Sequence, residues 1–401
     1  MRNLSKKTLT DLNISGKKVL VRVDFNVPIE QGIEAISDYD QRLRATLPTI
    51  QYLIDQDCKI ILCSHLGRPG GSVKEELRLA PVGDRLANLL GMPVLNLADC
   101  VGPEIESAID AMASKDIILL ENLRFHPEEE KNDPNFAEQL ASMVDLFIMD
   151  AFAVAHRAHA STVGINEFLP SAMGLLVQQE IESMSQALDS PEPPFAALLG
   201  GAKVSDKILV LENILNKLDH LFIGGGMSVT FLNSQGYSTG ASNIEKDRID
   251  FARDLLDRAR STNISVHLPE DVIVANAFSP NPSDIQTVSI SDVPASWYIM
   301  DIGKKSAEIF SRALAESKTI IWNGPMGVFE MPKFSHGTRI VATAIGDLTG
   351  STTVVGGGST AEAVEALGLM GKMSHVSTGG GASLEFLEGK DLPGISALPD
   401  A

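Results

Sequence analysis

The sequence predicts an α/β protein of two lobes, each a mostly parallel sheet flanked by helices, joined by one hinge helix. Two observations support this prediction. The chain has 401 residues, which is more than a single hydrophobic core usually organises. Short apolar runs alternate with longer helical periods along its whole length, and this alternation is typical of parallel sheets covered on both faces.

The predicted strands are short apolar runs that each end at a glycine-rich or polar turn. They cover residues 19–23, 60–63, 117–120, 146–149, 196–199, 221–223, 272–274, 319–322 and 353–355. Helical periodicity fills most of the intervals between them, over residues 81–90, 134–143, 204–218, 247–260 and 306–315. Ligands of such sheets bind beyond the carboxyl ends of the strands, so the loops after the strands are where chemistry is expected.

A proline-rich segment at residues 190–194 marks the predicted domain boundary, because it cannot continue a helix. The amphipathic stretch before it connects the lobes. We therefore expect an N-terminal domain over residues 1–173, a hinge helix over 174–188 and a C-terminal domain over 189–383.

Composition excludes several classes of function. The net charge of −19 argues against a nucleic-acid or anionic-membrane surface. Three cysteines, an odd number, do not suggest a disulfide framework, and no segment approaches the roughly eighteen apolar residues of a membrane span. These features predict a cytoplasmic protein.

Strand-end loops of the first half carry positive or hydrogen-bonding groups. Asp24 and Asn26 end the first strand, and His65 follows the second. Four arginines lie in or beside such loops: Arg42, Arg68, Arg124 and Arg157. The planar guanidinium donates two parallel hydrogen bonds to phosphate or carboxylate, so this set predicts a pocket for a small anion.

Strand-end loops of the second half are rich in glycine instead. Residues 200–207 read GGAKVSDK, which combines a Gly-rich turn with Lys203 and Lys207 at the start of a helix. Gly triplets follow two further strands at 224–226 and 356–358. Small residues and helix N-termini let backbone N–H groups approach phosphate, so these turns predict a nucleotide site. The sequence G-x-x-x-x-G-K-[ST] of a P-loop does not occur.

A dinucleotide-binding enzyme is the main competing interpretation, since residues 356–361 fit G-x-G-x-x-A after a strand. That fingerprint requires an acidic residue about twenty positions further on. The sequence there, HVSTGGG at 375–381, contains no carboxylate, so the dehydrogenase interpretation fails.

At these residues the sequence resembles the phosphoglycerate kinase family. The motifs that carry the resemblance lie in the family's order across nearly the whole chain: VRVDFNVP, SHLGRP, LENLRF, AHRAHAS, GGAKVSDK, IWNGPMGVFE and STGGGASLE. The resemblance implies two Rossmann-like lobes and residues 384–401 packing back on the first. It also implies reversible, direct in-line transfer of a phosphoryl group from 1,3-bisphosphoglycerate to Mg-ADP after hinge closure, giving 3-phosphoglycerate and ATP.

Site residues follow from the matched motifs. The resemblance implies that the three-carbon acid is bound by Asp24, Asn26, Arg42, His65, Arg68, Arg124 and Arg157. It implies that the nucleotide is bound by Gly201, Lys207, Asn323, Glu330, Gly356, Gly357, Gly358 and Ser359. Arg42, Lys203 and Lys207 would be the catalytic residues. We further expect a monomer that acts on small molecules, without nucleic-acid or membrane partners.

Ser359 departs from the family, because an aspartate that helps to bind Mg²⁺ ordinarily follows the third glycine. Its hydroxyl could serve as the one protein ligand of the metal, or it could cap the helix in a capping box with Glu362. The alternative to an active kinase is a weakened paralogue that binds nucleotide alone. Such a paralogue would lose the arginines, and all four are retained.

Overall fold

The computed structural model describes residues 4–28, 36 and 40–401. Contacts divide the chain into two compact units. The N-terminal unit comprises Met1–Glu182 with Asp391–Ala401, and the C-terminal unit comprises Ser183–Lys390. None of the helices in the described ranges has the length and apolarity needed to cross a bilayer.

The N-terminal unit is built on a six-stranded parallel sheet of order β3-β4-β2-β1-β5-β6. Its elements in chain order are β1 (Lys18–Arg22), α1 (Gln41–Asp55), β2 (Lys59–Cys63), α2 (Ala80–Leu90), β3 (Leu95–Asn96), α3 (Pro103–Asp110), β4 (Ile117–Leu119), α4 (Pro127–Glu130), α5 (Pro134–Ser142), β5 (Leu146–Met149) and β6 (Ser171–Met173). The predicted strands of this half lie within one residue of the observed ones.

Local sequence explains where these elements begin and end. Strands β2 and β5 are apolar throughout their central residues because helices cover both faces of the sheet. Helix α5 begins at Pro134 because the Asp133 carboxylate accepts hydrogen bonds from the amides of Asn135 (2.9 Å) and Phe136 (3.1 Å). Helix α2 ends at Gly91, which has a φ of +67°.

Helix α6 (Leu175–Asp189) carries the chain from one unit into the other, since the division falls between Glu182 and Ser183. The buried Asp150 carboxylate caps its N-terminus by accepting from the amides of Leu176 (3.0 Å) and Val177 (3.4 Å). Burial raises the pKa of Asp150 to about 6.

The end of the chain returns to the N-terminal unit. The buried ammonium of Lys6 donates to the carbonyls of Ser396 (3.1 Å) and Leu398 (2.8 Å), beside helix α14 (Pro393–Ser396). The return begins at Asp391, whereas the sequence analysis placed it at residue 384. Helix α13 (Gly381–Leu387) belongs to the C-terminal unit, where the Asn213 side-chain amide donates to the Leu387 carbonyl at 2.8 Å.

The C-terminal unit contains a second parallel sheet, of order β15-β14-β13-β7-β8-β9. Its elements are β7 (Phe195–Leu199), α7 (Ile208–Ile214), β8 (His220–Ile223), α8 (Met227–Ser234), α9 (Ile249–Ser261), β9 (Ser265–His267), β10 (Asp271–Ala275), β11 (Ile285–Ser289), β12 (Tyr298–Ile302), α10 (Lys304–Leu314), β13 (Thr319–Asn323), α11 (His336–Gly346), β14 (Thr352–Gly356), α12 (Gly358–Ala366) and β15 (His375–Val376). Its core includes Phe222, Phe310 and Trp322.

Two details of this unit differ from the prediction. The run at 272–274 lies in a small antiparallel sheet of order β11-β10-β12, so its assignment to a parallel sheet was wrong. Helix α7 begins at Ile208 rather than at 204. The Glu245 carboxylate accepts from the amides of Val204 and Ser205 and from the Ser205 hydroxyl (2.6 Å), which holds the preceding residues in a turn.

Candidate functional site

The predicted anion-binding residues of the N-terminal unit lie at one edge of its sheet. Asp24 and Asn26 follow β1, His65 and Arg68 follow β2, and Arg157 lies in the loop after β5. Strands β2, β1 and β5 are neighbours and run parallel, so their carboxyl ends present these loops side by side. The fold therefore places the set where ligands of such sheets bind.

Asp24 organises one side of this pocket. Its carboxylate accepts a hydrogen bond from Arg42 Nη1, and its Oδ1 lies 3.7 Å from His65 Nδ1. The Asp24 side chain is buried, whereas that of Arg42 is about one-third exposed. Asp24 thus orients the guanidinium of Arg42 and leaves part of it open to solvent.

The backbone of Gly67 organises the other side. Its amide donates to Asn26 Oδ1 at 2.8 Å, and its carbonyl accepts from Arg124 Nη1 at 2.8 Å. Arg124 is buried, and burial lowers its pKa, with the Glu130 carboxylate 3.2 Å away as partial compensation. The loop at Gly67 therefore fixes both the side-chain amide of Asn26 and the guanidinium of Arg124.

Arg68 and Arg157, the other two predicted anion-binding arginines, differ from Arg42 and Arg124 in their surroundings. Both side chains are exposed, and among the described residues neither guanidinium makes a hydrogen bond or ion pair. Five donors remain unused on each planar group, in the fork geometry that matches phosphate or carboxylate. These two arginines are the ones most available to an incoming anion.

A buried polar network under the pocket was missed by the sequence analysis. Arg22 is fully buried, and its Nε donates to Ser161 Oγ at 2.8 Å. Ser161 Oγ in turn donates to the buried carboxylate of Glu129 at 2.6 Å, and the Ser161 amide donates to the other oxygen at 3.0 Å. Burial raises the pKa of Glu129, while Arg22 and the Ser161 hydrogen bonds act against that rise. The sequence did contain a signal for this network, because Arg22 is a charged residue in the otherwise apolar run at residues 19–23.

The network sets the protonation of His65. Arg22 Nη2 lies 3.3 Å from His65 Nδ1, and a guanidinium can only donate. Nδ1 therefore accepts, and the proton resides on Nε2. Burial and then the charge of Arg22 hold the pKa of His65 well below its usual value. His65 is consequently a neutral hydrogen-bond donor in this pocket.

The glycine turns of the C-terminal unit pack directly on one another. The amide of Gly200 donates to the Asn323 carbonyl (3.0 Å), and that of Gly201 donates to the Pro325 carbonyl (3.1 Å). A Cβ at Gly324, which has a φ of +102°, would lie 2.3 Å from the carbonyl carbon and oxygen of Gly200. Glycine is required there because two backbones touch.

Lys207 and Asn323 form the polar centre of this region. Lys207 is the N-terminal capping residue of α7, it is buried, and its ammonium donates to Asn323 Oδ1. Burial lowers the pKa of Lys207 to about 8. The Asn323 Nδ2 atom is buried next to the turn at Gly356 and Gly357, and it has no hydrogen-bond partner among the residues that the structure describes. A buried unsatisfied donor beside a glycine turn is suited to a ligand oxygen.

Other predicted residues of this unit are exposed. Gly201 and Gly358 have open space where a Cβ would stand, so a ligand can approach their backbone. Lys203 and Glu330 have exposed side chains that make no hydrogen bond or ion pair among the described residues. Lys203 and Glu330 thus lie close in sequence to glycine turns, and their side chains extend into solvent.

Ser359 does not cap helix α12. The helix begins at Gly358 with Gly357 as its capping residue, and no side chain accepts from its first amides. The capping residue, Gly357, has a φ of +88° and lies two residues before the position that a capping box at Ser359 requires. The capping-box interpretation was therefore wrong, and the Ser359 hydroxyl is exposed at the helix N-terminus.

Comparison with known proteins agrees with this geometry. The family model described as phosphoglycerate kinase matches residues 9–390. The chain belongs to the phosphoglycerate kinase family. It is 53% identical to the phosphoglycerate kinase of Moorella thermoacetica, over 99% of this chain and 100% of the relative. It is 52% identical to that of Trichodesmium erythraeum over the same shares.

Solved structures show the same fold. The phosphoglycerate kinase of Coxiella burnetii superposes with a TM-score of 0.86 at 40% identity, and that of Pyrococcus horikoshii with a TM-score of 0.85 at 33% identity. Each comparison covers 98% of both chains. The predicted two-lobe α/β fold is confirmed, and so is the phosphoglycerate kinase function, with ATP and ADP as its nucleotide substrates. The weakened paralogue is not favoured.

Proposed function

We propose that the N-terminal unit binds the phosphoglycerate and the C-terminal unit binds the nucleotide. The contrast between their polar groups carries this assignment. One unit offers guanidinium groups and a neutral His65, while the other offers open glycine turns, the buried Lys207 and the unsatisfied Asn323 Nδ2.

In the N-terminal unit, Arg68 and Arg157 supply the charges that a phosphate and a carboxylate require. Asp24 and Asn26 accept from or donate to the substrate hydroxyl, and Arg124 and His65 donate to the remaining oxygens. Because His65 stays neutral, it adds a hydrogen bond without adding a charge that must be buried.

Phosphoryl transfer leaves the protein little covalent chemistry, so catalysis rests on positioning and on neutralising charge. We assign that role to Arg42, Lys203 and Lys207. Direct in-line transfer needs no nucleophile from the protein. The ammonium of Lys203 is exposed and has no ion-pair partner in the described part of the chain, so it is free to follow the transferring group, while Lys207 is fixed on Asn323.

A Mg²⁺ ion bound with the nucleotide would supply charge neutralisation at the phosphates. The described residues of the C-terminal unit provide no cluster of three carboxylate, histidine or cysteine ligands, so the phosphates must supply most of the metal's ligands. Ser359 offers one hydroxyl oxygen at the helix N-terminus, which fits a metal that needs only one or two protein ligands. Glu330 and Gly356–Gly358 contribute to the nucleotide site around it.

Steady-state kinetics of Arg157→Ala test the assignment. Losing a charge-assisted fork should cost about 1.5–3 kcal/mol, which raises the KM for 3-phosphoglycerate or lowers kcat about ten- to a hundredfold. The KM for ATP should stay near the parent value. Arg157→Lys keeps the charge without the fork, so it should recover part of the loss. A parallel rise in the ATP KM would contradict the assignment.

Helix α6 is proposed as the hinge, because the chain passes between the units within it. Amide hydrogen exchange over Leu175–Asp189 should change most when both substrates are present, since transfer requires both. Exchange that is the same in the free, singly bound and doubly bound chain would remove the hinge from the mechanism.

We further propose a cytoplasmic monomer without nucleic-acid partners. The net charge of −19 opposes binding to polyanions. Light scattering should give a mass near the chain's 43.0 kDa. A mass of twice that value would contradict the monomer.

A further inference from the structure

Three potential metal ligands meet in the N-terminal unit outside the residues assigned to either substrate. Asp99 and Cys100 lie shortly after β3, and His126 follows a 3-10 turn at Leu123–Phe125. One ligand atom from each lies within 4.8 Å of the other two. His126 Nε2 and Asp99 Oδ1 are already 2.6 Å apart.

Contacts that need no metal hold these side chains together. The Cys100 thiol is fully buried and donates to the Glu121 carbonyl at 3.0 Å. The Cys100 amide donates to Asp99 Oδ1 at 2.7 Å. The imidazole of His126 stacks on Phe136 with ring centroids 5.0 Å apart. The donors are therefore arranged before any cation arrives.

The donor set selects one class of cation. A thiolate with an imidazole and a carboxylate suits Zn²⁺ and related borderline ions, whereas Mg²⁺ prefers oxygen ligands alone. Bonds of about 2.0–2.3 Å place neighbouring ligand atoms of a tetrahedral site roughly 3.5 Å apart. Modest side-chain movement would therefore bring these three ligand atoms, which lie within 4.8 Å of one another, to metal-binding distance. The Asp99 and His126 side chains are 54% and 27% exposed, which leaves a path from solvent.

We propose that Asp99, Cys100 and His126 bind a zinc-class divalent cation, with water as the fourth ligand. On binding, the Cys100 thiol gives its proton to solvent and its sulfur bonds the metal in place of the hydrogen bond to Glu121. His126 Nε2 binds the metal through its lone pair, so any proton on that nitrogen passes to solvent or to Nδ1, and the contact between Nε2 and Asp99 Oδ1 is replaced by two bonds to the metal. The proposal is independent of the nucleotide's Mg²⁺.

Titration of the full chain with Co²⁺ in excess Mg²⁺ tests the site. Cobalt in a tetrahedral thiolate site shows intense visible bands and a sulfur-to-metal charge-transfer band. We expect these bands to saturate at one Co²⁺ per chain and to disappear when Zn²⁺ is added. Absence of a charge-transfer band in the parent would overturn the proposal.

Matched variants identify the ligands. Cys100→Ser should abolish the charge-transfer band, while Cys58→Ser should leave it intact, because that buried thiol donates to the Ile14 carbonyl elsewhere in the unit. Asp99→Asn and His126→Gln should each weaken Co²⁺ binding by more than about tenfold, since losing even an outer-sphere partner costs that much. Both side chains are partly exposed, so these variants decide the matter if Cys100→Ser does not fold. Parent-like Co²⁺ affinity in His126→Gln would overturn the site.

The turnover of Asp99→Asn with Mg²⁺ alone should match that of the parent. This control separates the test of the metal site from the test of the kinase assignment.

Discussion

The anion sites proposed for the two units are built differently. The N-terminal pocket is made of side chains, with charged groups held by buried partners such as Asp24 and Glu129. The C-terminal site is made of backbone, where glycine turns pack on one another and Lys207 is the buried cation. The difference fits the ligands that we propose for the two units. A phosphoglycerate carries its charges uncompensated, whereas a nucleotide brings Mg²⁺ that neutralises much of its own charge.

This difference in construction indicates which substitutions should impair each proposed site. A pocket of buried side-chain charges depends on every partner, because a charge left alone in the interior is costly. A site formed by backbone segments in contact requires glycine at the contact, so a glycine-to-alanine substitution should impair it. The predictions below use these opposite weaknesses.

The largest effect is expected at Arg22. Arg22→Met leaves the buried Glu129 without its compensating charge, and removing one partner of such an arrangement costs about 3–5 kcal/mol. Urea denaturation should show that loss in the free energy of unfolding. Arg253→Met breaks an exposed ion pair with Asp250 and should cost less than about 1 kcal/mol. Equal losses in the two variants would show that the buried network does not support the pocket.

The next effect concerns backbone contact in the nucleotide site. Gly324→Ala adds a Cβ 2.3 Å from Gly200 and forces a residue with side chain to a φ of +102°. We expect ADP affinity, measured by calorimetry, to fall at least about tenfold, since the strain alone costs roughly 1–2 kcal/mol. Gly236→Ala is the matched control, with a φ of +93° and open space around its Cβ. An ADP affinity of Gly324→Ala equal to that of Gly236→Ala would contradict the role of the contact.

A pH dependence should mark the buried cation of the C-terminal unit. Burial lowers the pKa of Lys207 to about 8, so the ammonium is charged below that pH and loses its charge above it. ADP affinity should therefore fall as pH rises through about 8, by up to about tenfold per pH unit. Lys207→Arg keeps its charge throughout and should show no such inflection. The N-terminal pocket, with its arginines and neutral His65, should bind 3-phosphoglycerate without this change.

The smallest effect is expected at Ser359. Ser359→Asp places a carboxylate where this chain has a hydroxyl, and a charged ligand holds Mg²⁺ more tightly. At fixed ADP, half-maximal rate should be reached at a several-fold lower Mg²⁺ concentration than in the parent. An unchanged or higher requirement would show that this position does not contact the metal.

Much of the fold could be predicted from the sequence because parallel strands covered on both faces are apolar without interruption. The runs at 60–63 and 146–149 show this, since each lies within one residue of an observed strand. The run at 272–274 shows the limit. Its residues are as apolar as those of a parallel strand. It nevertheless pairs antiparallel with β11 and β12, the next two strands along the chain, neither of which the sequence pattern predicted.

The candidate site could be outlined from the sequence where a residue type has one dominant use. Arginines after strands indicated an anion, and glycines after strands indicated a phosphate or a backbone contact. The exact residue at which a helix begins, and the buried partners of a charged residue, could not be predicted from the sequence. The capping box at Ser359 failed because Gly357 is already the capping residue and the helix begins at Gly358. Arg22 was overlooked because its partners Ser161 and Glu129 are more than a hundred residues away.

One measurement tests the division of binding between the units most directly. Calorimetric titrations with 3-phosphoglycerate and with ADP are made on the parent, Arg157→Ala, Gly324→Ala and the double variant. We predict that Arg157→Ala weakens 3-phosphoglycerate binding, that Gly324→Ala weakens ADP binding, and that each loss is the same within about 0.5 kcal/mol in the double variant. A loss of ADP affinity in Arg157→Ala that parallels its loss of 3-phosphoglycerate affinity would contradict the account.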